Sequence, residues 1–333
     1  MSHVVTPATD GATLFARSAQ EVVSYLTRTT RLPSWSVSRL ADTQQVHLHA
    51  DGSGLLLPGM QVAWQDTFCR RMVGGAANVV RDSTLDPNYS DLPDVPAIRA
   101  YAGTPLAAPD GELFGVLCGV SDQPLSDEQS LDADLLRLFG DLLAAQLVTS
   151  RRLDLAVSDA RIAQGSAETD ALTGLLNRRG WDLAMAEAQA RVDSYGDRVG
   201  VAVLDLDGLK TINDEDGHAA GDALLRRAAQ VLSGSVRSTD RLARYGGDEF
   251  TLILNEATDA QREKRVNELV AALAAAGIAA SAGSSAARPS DFGLVEAFGA
   301  ADAAMYRSKR SRRSARDAAS ADGPEQAAGS LSP

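Results

Sequence analysis

The sequence predicts a mixed α/β protein, of the α+β kind, with two domains joined by a helix. Its 333 residues suffice for two domains of ordinary size. Strand and helix patterns occur separately in residues 13–148 and 169–313, and a polar, alanine-rich segment at 149–168 divides them. We predict that residues 1–12 and 314–333 are disordered, because they contain few large apolar residues.

The first domain follows the order helix, strands, variable middle, hairpin, helix. An amphipathic helix is predicted over 19–29, strands over 35–40 and 45–49, the second hairpin strand over 114–120, and a final helix over 135–148.

The segment 149–168 carries a thin apolar stripe that includes Leu153 and Val157. Such a stripe favours one helix that pairs with its copy in a dimer, as in a weak coiled coil, although a monomeric linker helix fits the same pattern. Gly165 lowers helix propensity and is a candidate hinge before the second domain.

The most informative stretch of the second domain is residues 244–250, Arg-Tyr-Gly-Gly-Asp-Glu-Phe. The flanking runs are strand-like, so the two glycines predict a hairpin turn that permits positive φ and close approach of a ligand. Asp248 and Glu249 are adjacent like charges, which a hard divalent cation such as Mg²⁺ would stabilise. The alternative is an acidic hairpin tip exposed to solvent.

A second acidic element ends an apolar run at 201–207, which is typical of a buried central strand. Its final carboxylates, Asp205 and Asp207, suit a metal better than a core. If a helix follows, Lys210 and Asn213 share one of its faces. The alternative is a strand followed by an ordinary polar loop.

Four motifs in this order resemble the GGDEF domain, the family of the diguanylate cyclases. They are an opening Thr-Asp-Ala-Leu-Thr-Gly-Leu-Leu-Asn-Arg-Arg motif at 169–179, the acidic strand end and its continuation at 205–222, the Gly-Gly-Asp-Glu-Phe signature at 246–250, and a closing helix motif at 301–309. The resemblance implies a palm-like nucleotidyl-cyclase fold and the condensation of two GTP molecules to cyclic di-GMP with release of two pyrophosphates. It also implies a homodimer in which each copy holds one GTP.

The resemblance assigns roles to individual positions. Asp248, Glu249 and Lys210 are the expected catalytic residues. The expected ligands of two Mg²⁺ ions per GTP, with Mn²⁺ as an alternative, are Asp205, the Leu206 carbonyl, Asp248 and Glu249. The expected GTP-binding residues are Gly208, Leu209, Lys210, Asn213, Asp222, Gly246, Gly247, Lys309 and Arg313. Asn213 and Asp222 would recognise guanine rather than adenine, which argues against an ATP cyclase.

Two positions leave alternatives open in the comparison with the family. The closing segment 309–313 lacks the usual glycine before its last arginine, so Arg312 is an alternative to Arg313 as the phosphate contact. Arg237 and Asp240 form an RxxD motif where relatives carry an inhibitory site for the product, and Arg244 is expected to assist there. A surface ion pair is the ordinary alternative.

The first domain resembles a GAF domain through its hairpin segments at 101–106 and 114–119 and its middle segment at 64–72. The resemblance implies an antiparallel sheet flanked by helices and the role of a sensor, but it names no ligand. His47 and His49 are two residues apart and are expected on one strand face, where a metal or haem is the less favoured alternative to ordinary exposure. Cys69 and Cys118 are expected to pack in the core rather than to act as redox or attachment sites.

Composition and charge disfavour two classes of protein, those that bind nucleic acid and those that span a membrane. The formal net charge of −12 and the pI of about 4.8 disfavour binding to nucleic acid, which requires clustered positive charge. No apolar run approaches the roughly 20 residues of a membrane span, and no signal pattern begins the sequence, so a cytoplasmic protein without membrane contact is expected. The remaining alternative to turnover is a catalytically weak receptor for GTP or cyclic di-GMP, although the intact carboxylate pair favours an enzyme.

Overall fold

The computed structural model describes residues 10–41, 43–95, 97–108, 111–126, 131–164, 167–255, 258–287 and 293–321, and the side chains of 159, 161–164, 313 and 315–321 are outside this description. The chain divides into two compact units. The first comprises Met1–Gly165, Gln189–Arg198 and Arg288–Gly293; the second comprises Ser166–Ala188, Val199–Ala287 and Leu294–Pro333.

The first unit is an antiparallel sheet flanked by helices, as the sequence predicted. Its elements are α1 (Gly11–Thr29), β1 (Ser34–Ala41), β2 (Gln44–Gly52), β3 (Gln61–Ala63), α2 (Phe68–Val73), β4 (Val79–Val80), β5 (Ala100–Ala107), β6 (Leu113–Ser121) and α3 (Ala133–Gln164). The six strands lie in the order β3-β2-β1-β6-β5-β4.

Helix α1 begins earlier than residue 19, where the sequence pattern placed its start. The Asp10 side chain accepts a hydrogen bond from the Thr13 amide at 2.7 Å, which satisfies a free donor of the first turn. Phe15, Ala19 and Val23 then repeat at helical spacing and are buried in the core. The helix therefore includes residues 11 and 12, which the sequence analysis assigned to a disordered start.

The expectation that His47 and His49 share a strand face is wrong. The pairing of β1 with β2 is irregular between Val37, which faces His49, and Ser38, which faces His47. This bulge places the two histidines on opposite faces of the sheet, because Val37 and Ser38 point in opposite directions. A shared metal or haem site for the pair is therefore excluded in this arrangement.

Helix α3 runs without interruption from Ala133 to Gln164 and unites the predicted helix at 135–148 with the predicted linker helix. Leu153 and Val157 are exposed on this helix, which is compatible with the predicted pairing of the helix with its copy. The candidate hinge Gly165 lies outside the described residues.

The second unit is a four-stranded antiparallel sheet with helices on both faces. Its elements are α4 (Arg178–Tyr195), whose last residues are counted in the first unit, β7 (Val199–Leu206), α5 (Leu209–Asp216), α6 (His218–Ser235), β8 (Arg241–Arg244), β9 (Glu249–Asn255), α7 (Asp259–Ala275), β10 (Ala280–Ala286) and α8 (Leu294–Ala321). The strand order is β10-β7-β9-β8.

Strand β7 occupies the interior of this sheet, and all eight of its residues are buried. Ala202 and Leu204 face the larger core, which includes side chains of α6 and α7, whereas Val203 packs with Ala301 and Met305 of α8. The continuous apolar run in the sequence reflects burial on both faces.

Strand β10 consists of small residues because helix α8 packs directly on it. A Cβ added to Gly283 would lie 2.1 Å from the Met305 amide nitrogen and 2.3 Å from the Ala301 carbonyl oxygen. Glycine therefore permits the close approach that brings the following turns of α8 to the end of β7. The helix extends to Ala321, so the predicted disorder from residue 314 is wrong for residues 314–321, in keeping with the alanine content of this segment.

Among the described helices, none combines the length and apolar content that crossing a bilayer requires.

Candidate functional site

The signature segment forms the predicted hairpin between β8 and β9. The Tyr245 amide donates to the Glu249 carbonyl at 2.9 Å, which closes the turn. Gly246 and Gly247 do not have positive φ, so the expected conformational reason for glycine does not apply. A Cβ at Gly246 would instead lie 2.8 Å from the Glu249 carboxylate, whereas one at Gly247 would meet nothing within 4 Å. Gly246 therefore leaves room for the Glu249 side chain.

The two predicted acidic elements meet at one end of the sheet. Asp205 of β7 is directly opposite Glu249 of β9, and the Leu206 amide donates to the Asp248 carbonyl at 3.0 Å. Carboxylates directly opposite each other on adjacent strands repel, so this pair is electrostatically unfavourable without a cation. The arrangement joins residues that are more than forty positions apart in the chain.

Burial and the charges of neighbouring carboxylates raise the pKa values of Asp205 and Glu249. Burial raises the pKa of Asp205 above its ordinary value; the hydrogen bond from Lys309 opposes this effect, and the charge of Asp248 adds to it. Burial likewise raises the pKa of Glu249, with further contributions from the charges of Asp205 and Asp248. Both carboxylates would therefore gain from a nearby positive charge.

Helix α8 supplies two cationic side chains to this end of the sheet. Lys309 Nζ is 2.6 Å from Asp205 Oδ1. Arg312 Nη1 is 3.8 Å from Asp207 Oδ2 and also donates to the Ala280 carbonyl. The sequence analysis left Arg312 as the alternative to Arg313, whose side chain lies outside the described residues.

The donor set fits a hard divalent cation by its chemistry. Asp205, Asp248 and Glu249 offer carboxylate oxygens, and the Leu206 backbone lies between them. Within the described part of the chain, however, no three carboxylate, imidazole or thiolate groups converge closely enough to hold a metal on their own. The ligands expected from the sequence are thus neighbours rather than a completed cage.

The turn after β7 leads through Gly208 directly into the first turn of α5. Gly208 adopts the left-handed conformation with φ of 88°, which favours glycine, and α5 begins at Leu209. The Leu209 side chain is buried in the core, so it would contact a ligand only through its backbone. Lys210 is exposed on the first turn of the helix.

The predicted guanine-recognition residues are on two adjoining helices. Asn213 is on α5, and its side-chain oxygen packs so closely on α6 that a Cβ at Gly221 would lie 2.0 Å from it. Asp222 follows Gly221 and is 3.9 Å from Arg226 on the same helix. The structure thus identifies Gly221 as a residue that fixes the position of Asn213, which the candidate residues chosen from the sequence omitted.

Asp240 of the RxxD motif is fully buried and extensively bonded. It is paired with Arg265 of α7, and its carboxylate accepts from the Arg237 amide at 3.0 Å and the Asn255 amide at 3.2 Å. Burial lowers the pKa of Arg265, and the charge of Arg237 lowers it further. Arg265 therefore lies near both residues of the motif, although nothing in its local sequence distinguishes it.

Arg244 braces the signature turn. Its Nη2 donates to the Gly247 carbonyl at 2.8 Å, and its Nη1 is 3.3 Å from both carboxylate oxygens of Asp170 in the opening motif. Burial acts to raise the pKa of Asp170, but hydrogen bonds from Thr173 and the charge of Arg244 outweigh it and leave the pKa lowered. The expected assistance of Arg244 to the RxxD motif stays a prediction, because the guanidinium hydrogen bonds described here go to Asp170 and to the Gly247 carbonyl.

In the first unit, the histidines and cysteines have structural surroundings. The expected exposure of His47 is wrong, because its side chain is buried 2.8 Å from the Ser36 hydroxyl; this burial lowers the pKa of His47 to about 4. Cys69 and Cys118 are buried free thiols in the core beside Tyr101, as predicted. The ligand of this domain stays unknown.

Comparisons with known proteins agree with these two units. The family model described as "Diguanylate cyclase, GGDEF domain" matches residues 167–315, and the GAF domain model matches residues 16–147. Diguanylate cyclase DgcP of Escherichia coli K12 is 28% identical over 195 residues, covering 58% of this chain and 56% of the relative. Probable diguanylate cyclase DgcE of the same strain is 44% identical over 115 residues, covering 34% and 10%.

A solved structure also matches. The GGDEF domain of DgcB from Caulobacter crescentus, crystallised with c-di-GMP, is 30% identical, with 44% of this chain and 93% of that chain covered and a TM-score of 0.42. The chain spans only 10% and 56% of the length of the two curated relatives. By these two family models the chain carries a GAF domain at residues 16–147 followed by a GGDEF domain, the domain described for diguanylate cyclases, at residues 167–315.

Proposed function

We propose that the protein is a diguanylate cyclase that condenses two GTP molecules to cyclic di-GMP and releases two pyrophosphates. One observation carries the proposal: the carboxylates of β7 and of the signature hairpin meet at one sheet end, with Asp205 opposite Glu249 and Leu206 bonded to Asp248. An intact acidic group of this kind favours turnover over a receptor that only binds the nucleotide.

Asp205, Asp248, Glu249 and the Leu206 carbonyl are the groups that would hold Mg²⁺. The bound ions would neutralise phosphate charge and make the attacking hydroxyl more acidic. In each of two such steps, the 3′-oxygen of one nucleotide forms a bond to the α-phosphorus of the other, the bond from that phosphorus to the bridging oxygen breaks, and one pyrophosphate leaves with the electron pair. Glu249, which lies directly opposite Asp205 at this end of the sheet, is our candidate to accept the hydroxyl proton.

Substrate recognition would be shared among neighbouring elements. Asn213 and Asp222 would bind the guanine edge, with a carboxylate accepting from N–H donors that adenine does not present in that pattern. The triphosphate would bind the amides of the turn at Gly208 and Leu209, together with positively charged side chains. The proposed set of these cations is Lys210, Lys309 and Arg313, with Arg312 as the alternative to Arg313.

The product joins two nucleotides, so we propose that a homodimer brings two such sites together. Leu135, Leu138 and Leu142 are exposed on α3 at spacings of three and four residues, which suits pairing of this helix with its copy. Leu153 and Val157 continue the apolar surface toward its C-terminal end. Regulation by the GAF domain would act through this helix.

We further propose that cyclic di-GMP inhibits the enzyme at the RxxD motif. Arg237 is exposed and its charge acts on Arg265, which is mostly buried and paired with Asp240, so two guanidinium groups lie near this carboxylate. Guanidinium groups bind phosphate and stack on guanine. Because the Asp240 carboxylate is already paired with Arg265, its main contribution would be to position that arginine.

The test is incubation of purified protein with GTP and Mg²⁺, with chromatographic separation of the products. We expect cyclic di-GMP from the wild type and a loss of at least about a hundredfold in Asp248→Asn, because a metal-binding or charge-stabilising group is removed. Asp214→Asn, which removes an exposed carboxylate of α5, is the matched control and should retain activity. Binding of GTP without any product from the wild type would support the receptor alternative instead.

A further inference from the structure

The ion pair between Lys309 and Asp205 joins two residues that both belong to the proposed site. Lys309 Nζ is 2.6 Å from Asp205 Oδ1, and the exposed fractions of the two side chains are 28% and 7%. A carboxylate this deeply buried requires a counter-ion or hydrogen bonds to remain charged. In the described structure Lys309 supplies that positive charge.

The surroundings make this lysine important for the whole acidic group. Asp205 lies directly opposite Glu249, and the Leu206 amide next to it bonds to the Asp248 carbonyl, so three acidic residues share the sheet end that Lys309 contacts. One flexible side chain from α8 therefore stabilises several carboxylates that a divalent cation would otherwise stabilise.

We propose that Lys309 is a displaceable counter-ion that competes with the divalent cation for Asp205. This inference rests on the proposed function, in which Asp205 binds the metal and Lys309 binds the triphosphate. Asp205 Oδ1 cannot serve both cations at a distance of about 2 to 3 Å without strong repulsion between them. Lysine suits such an exchange, since its ammonium is a compact charge on a flexible stem.

The consequence is coupling between metal and nucleotide. A triphosphate that attracts Lys309 frees Asp205 for the metal, and a metal that displaces Lys309 frees the amine for the triphosphate. Each ligand must then strengthen the binding of the other by the same factor. The competition keeps Asp205 from retaining a divalent cation when no nucleotide is bound.

The primary experiment measures Mn²⁺ binding to the full chain without nucleotide, by electron paramagnetic resonance of the free ion. The variants are Lys309→Met, Lys309→Arg and, as a matched control, Lys264→Met, which removes a lysine 3.8 Å from Glu268 on α7. An adjacent positive charge lowers the pKa of a carboxylate by about one to three units, which is at least a tenfold loss of affinity for a competing cation, the proton. Removing that charge in Lys309→Met should therefore let Asp205 bind Mn²⁺ about tenfold more tightly or better. Lys309→Arg and Lys264→Met should stay within about twofold of the wild type, and thermal melting checks that each variant is folded.

A second measurement tests the coupling directly. The affinity for 3′-deoxy-GTP, which lacks the attacking hydroxyl, is measured with and without saturating Mn²⁺. The enhancement by Mn²⁺ should be larger in the wild type than in Lys309→Met, by about the factor found for Mn²⁺ alone.

Unchanged or weaker Mn²⁺ binding by folded Lys309→Met would overturn the inference, as would equal enhancement in the two proteins or no Mn²⁺ binding by either. The inference and the proposed function can fail separately. Tighter Mn²⁺ binding by Lys309→Met in a protein that makes no cyclic di-GMP would support the counter-ion role and refute the cyclase. Normal cyclic di-GMP synthesis by the wild type, together with unchanged Mn²⁺ binding by Lys309→Met, would support the cyclase and refute the counter-ion role.

Discussion

Replacing Gly221 by alanine should weaken GTP binding without weakening the fold. A Cβ at this position would lie 2.0 Å from the Asn213 side-chain oxygen and 3.2 Å from Leu209 Cδ1. An ordinary contact requires at least about 3.4 Å, so the Asn213 oxygen must move by roughly 1.4 Å, which is enough to break a hydrogen bond that needs 2.7 to 3.2 Å. Loss of one such bond to guanine costs about 0.5 to 1.5 kcal/mol, or about a two- to twelvefold rise in KM.

The free energy of unfolding of Gly221→Ala should be equal to that of the wild type or higher. Gly221 is inside α6, where alanine is favoured over glycine by about 0.5 to 1 kcal/mol, and the moving group is the end of a polar side chain. Gly234 in the same helix has nothing within 4 Å of an added Cβ, so Gly234→Ala is the matched control with the propensity gain alone.

The assay combines thermal unfolding with the KM for GTP in steady-state turnover. We expect both variants to melt at or above the wild-type temperature and only Gly221→Ala to raise KM. Equal KM values for the two variants and the wild type would refute the placement of Asn213 at the guanine edge.

Three further predictions address other parts of the molecule. Asp240→Ala should lower the free energy of unfolding in urea by about 3 kcal/mol, because it leaves Arg265 buried without its partner, and it should abolish inhibition by added cyclic di-GMP; wild-type stability would contradict the buried pair. His47 has its pKa lowered to about 4 by burial, so the stability that its neutral form provides is complete above pH 6.5 and falls by up to about 1.4 kcal/mol per unit as pH drops toward 4. His47→Gln should flatten that pH dependence in urea titrations, and an unchanged profile would count against it. A chain beginning at residue 167 should be slower and depend more steeply on protein concentration, whereas activity equal to the full chain at low concentration would refute dimerisation through α3.

The sequence anticipated the parts of the fold whose signals are local. The apolar run ending at Asp205 became the interior strand β7, and the glycine pair became the turn between β8 and β9. Carboxylates at strand ends were therefore predictable as neighbours once both strands were recognised. The small residues of β10 gave a weak strand signal, because Gly283 serves the packing of α8 rather than strand propensity.

What the sequence did not reveal depends on contacts between distant positions. Lys309 and Asp205 are 104 residues apart, and Arg265 and Asp240 are 25 apart, so no local pattern encodes either pair. The faces of His47 and His49 depend on a bulge, and a register change of one residue reverses every side chain after it. These features come from packing, which local periodicity does not determine.

The most direct test of the central claim is simultaneous measurement of pyrophosphate and cyclic di-GMP formed from GTP by the wild type and by Asp205→Asn. The account predicts two pyrophosphates for each cyclic di-GMP in the wild type. In the folded variant it predicts that both products fall by at least about a hundredfold, since the carboxylate opposite Glu249 is lost. Release of phosphate and GDP instead of pyrophosphate, or undiminished cyclic di-GMP synthesis by Asp205→Asn, would contradict the assignment of this sheet end as the catalytic site.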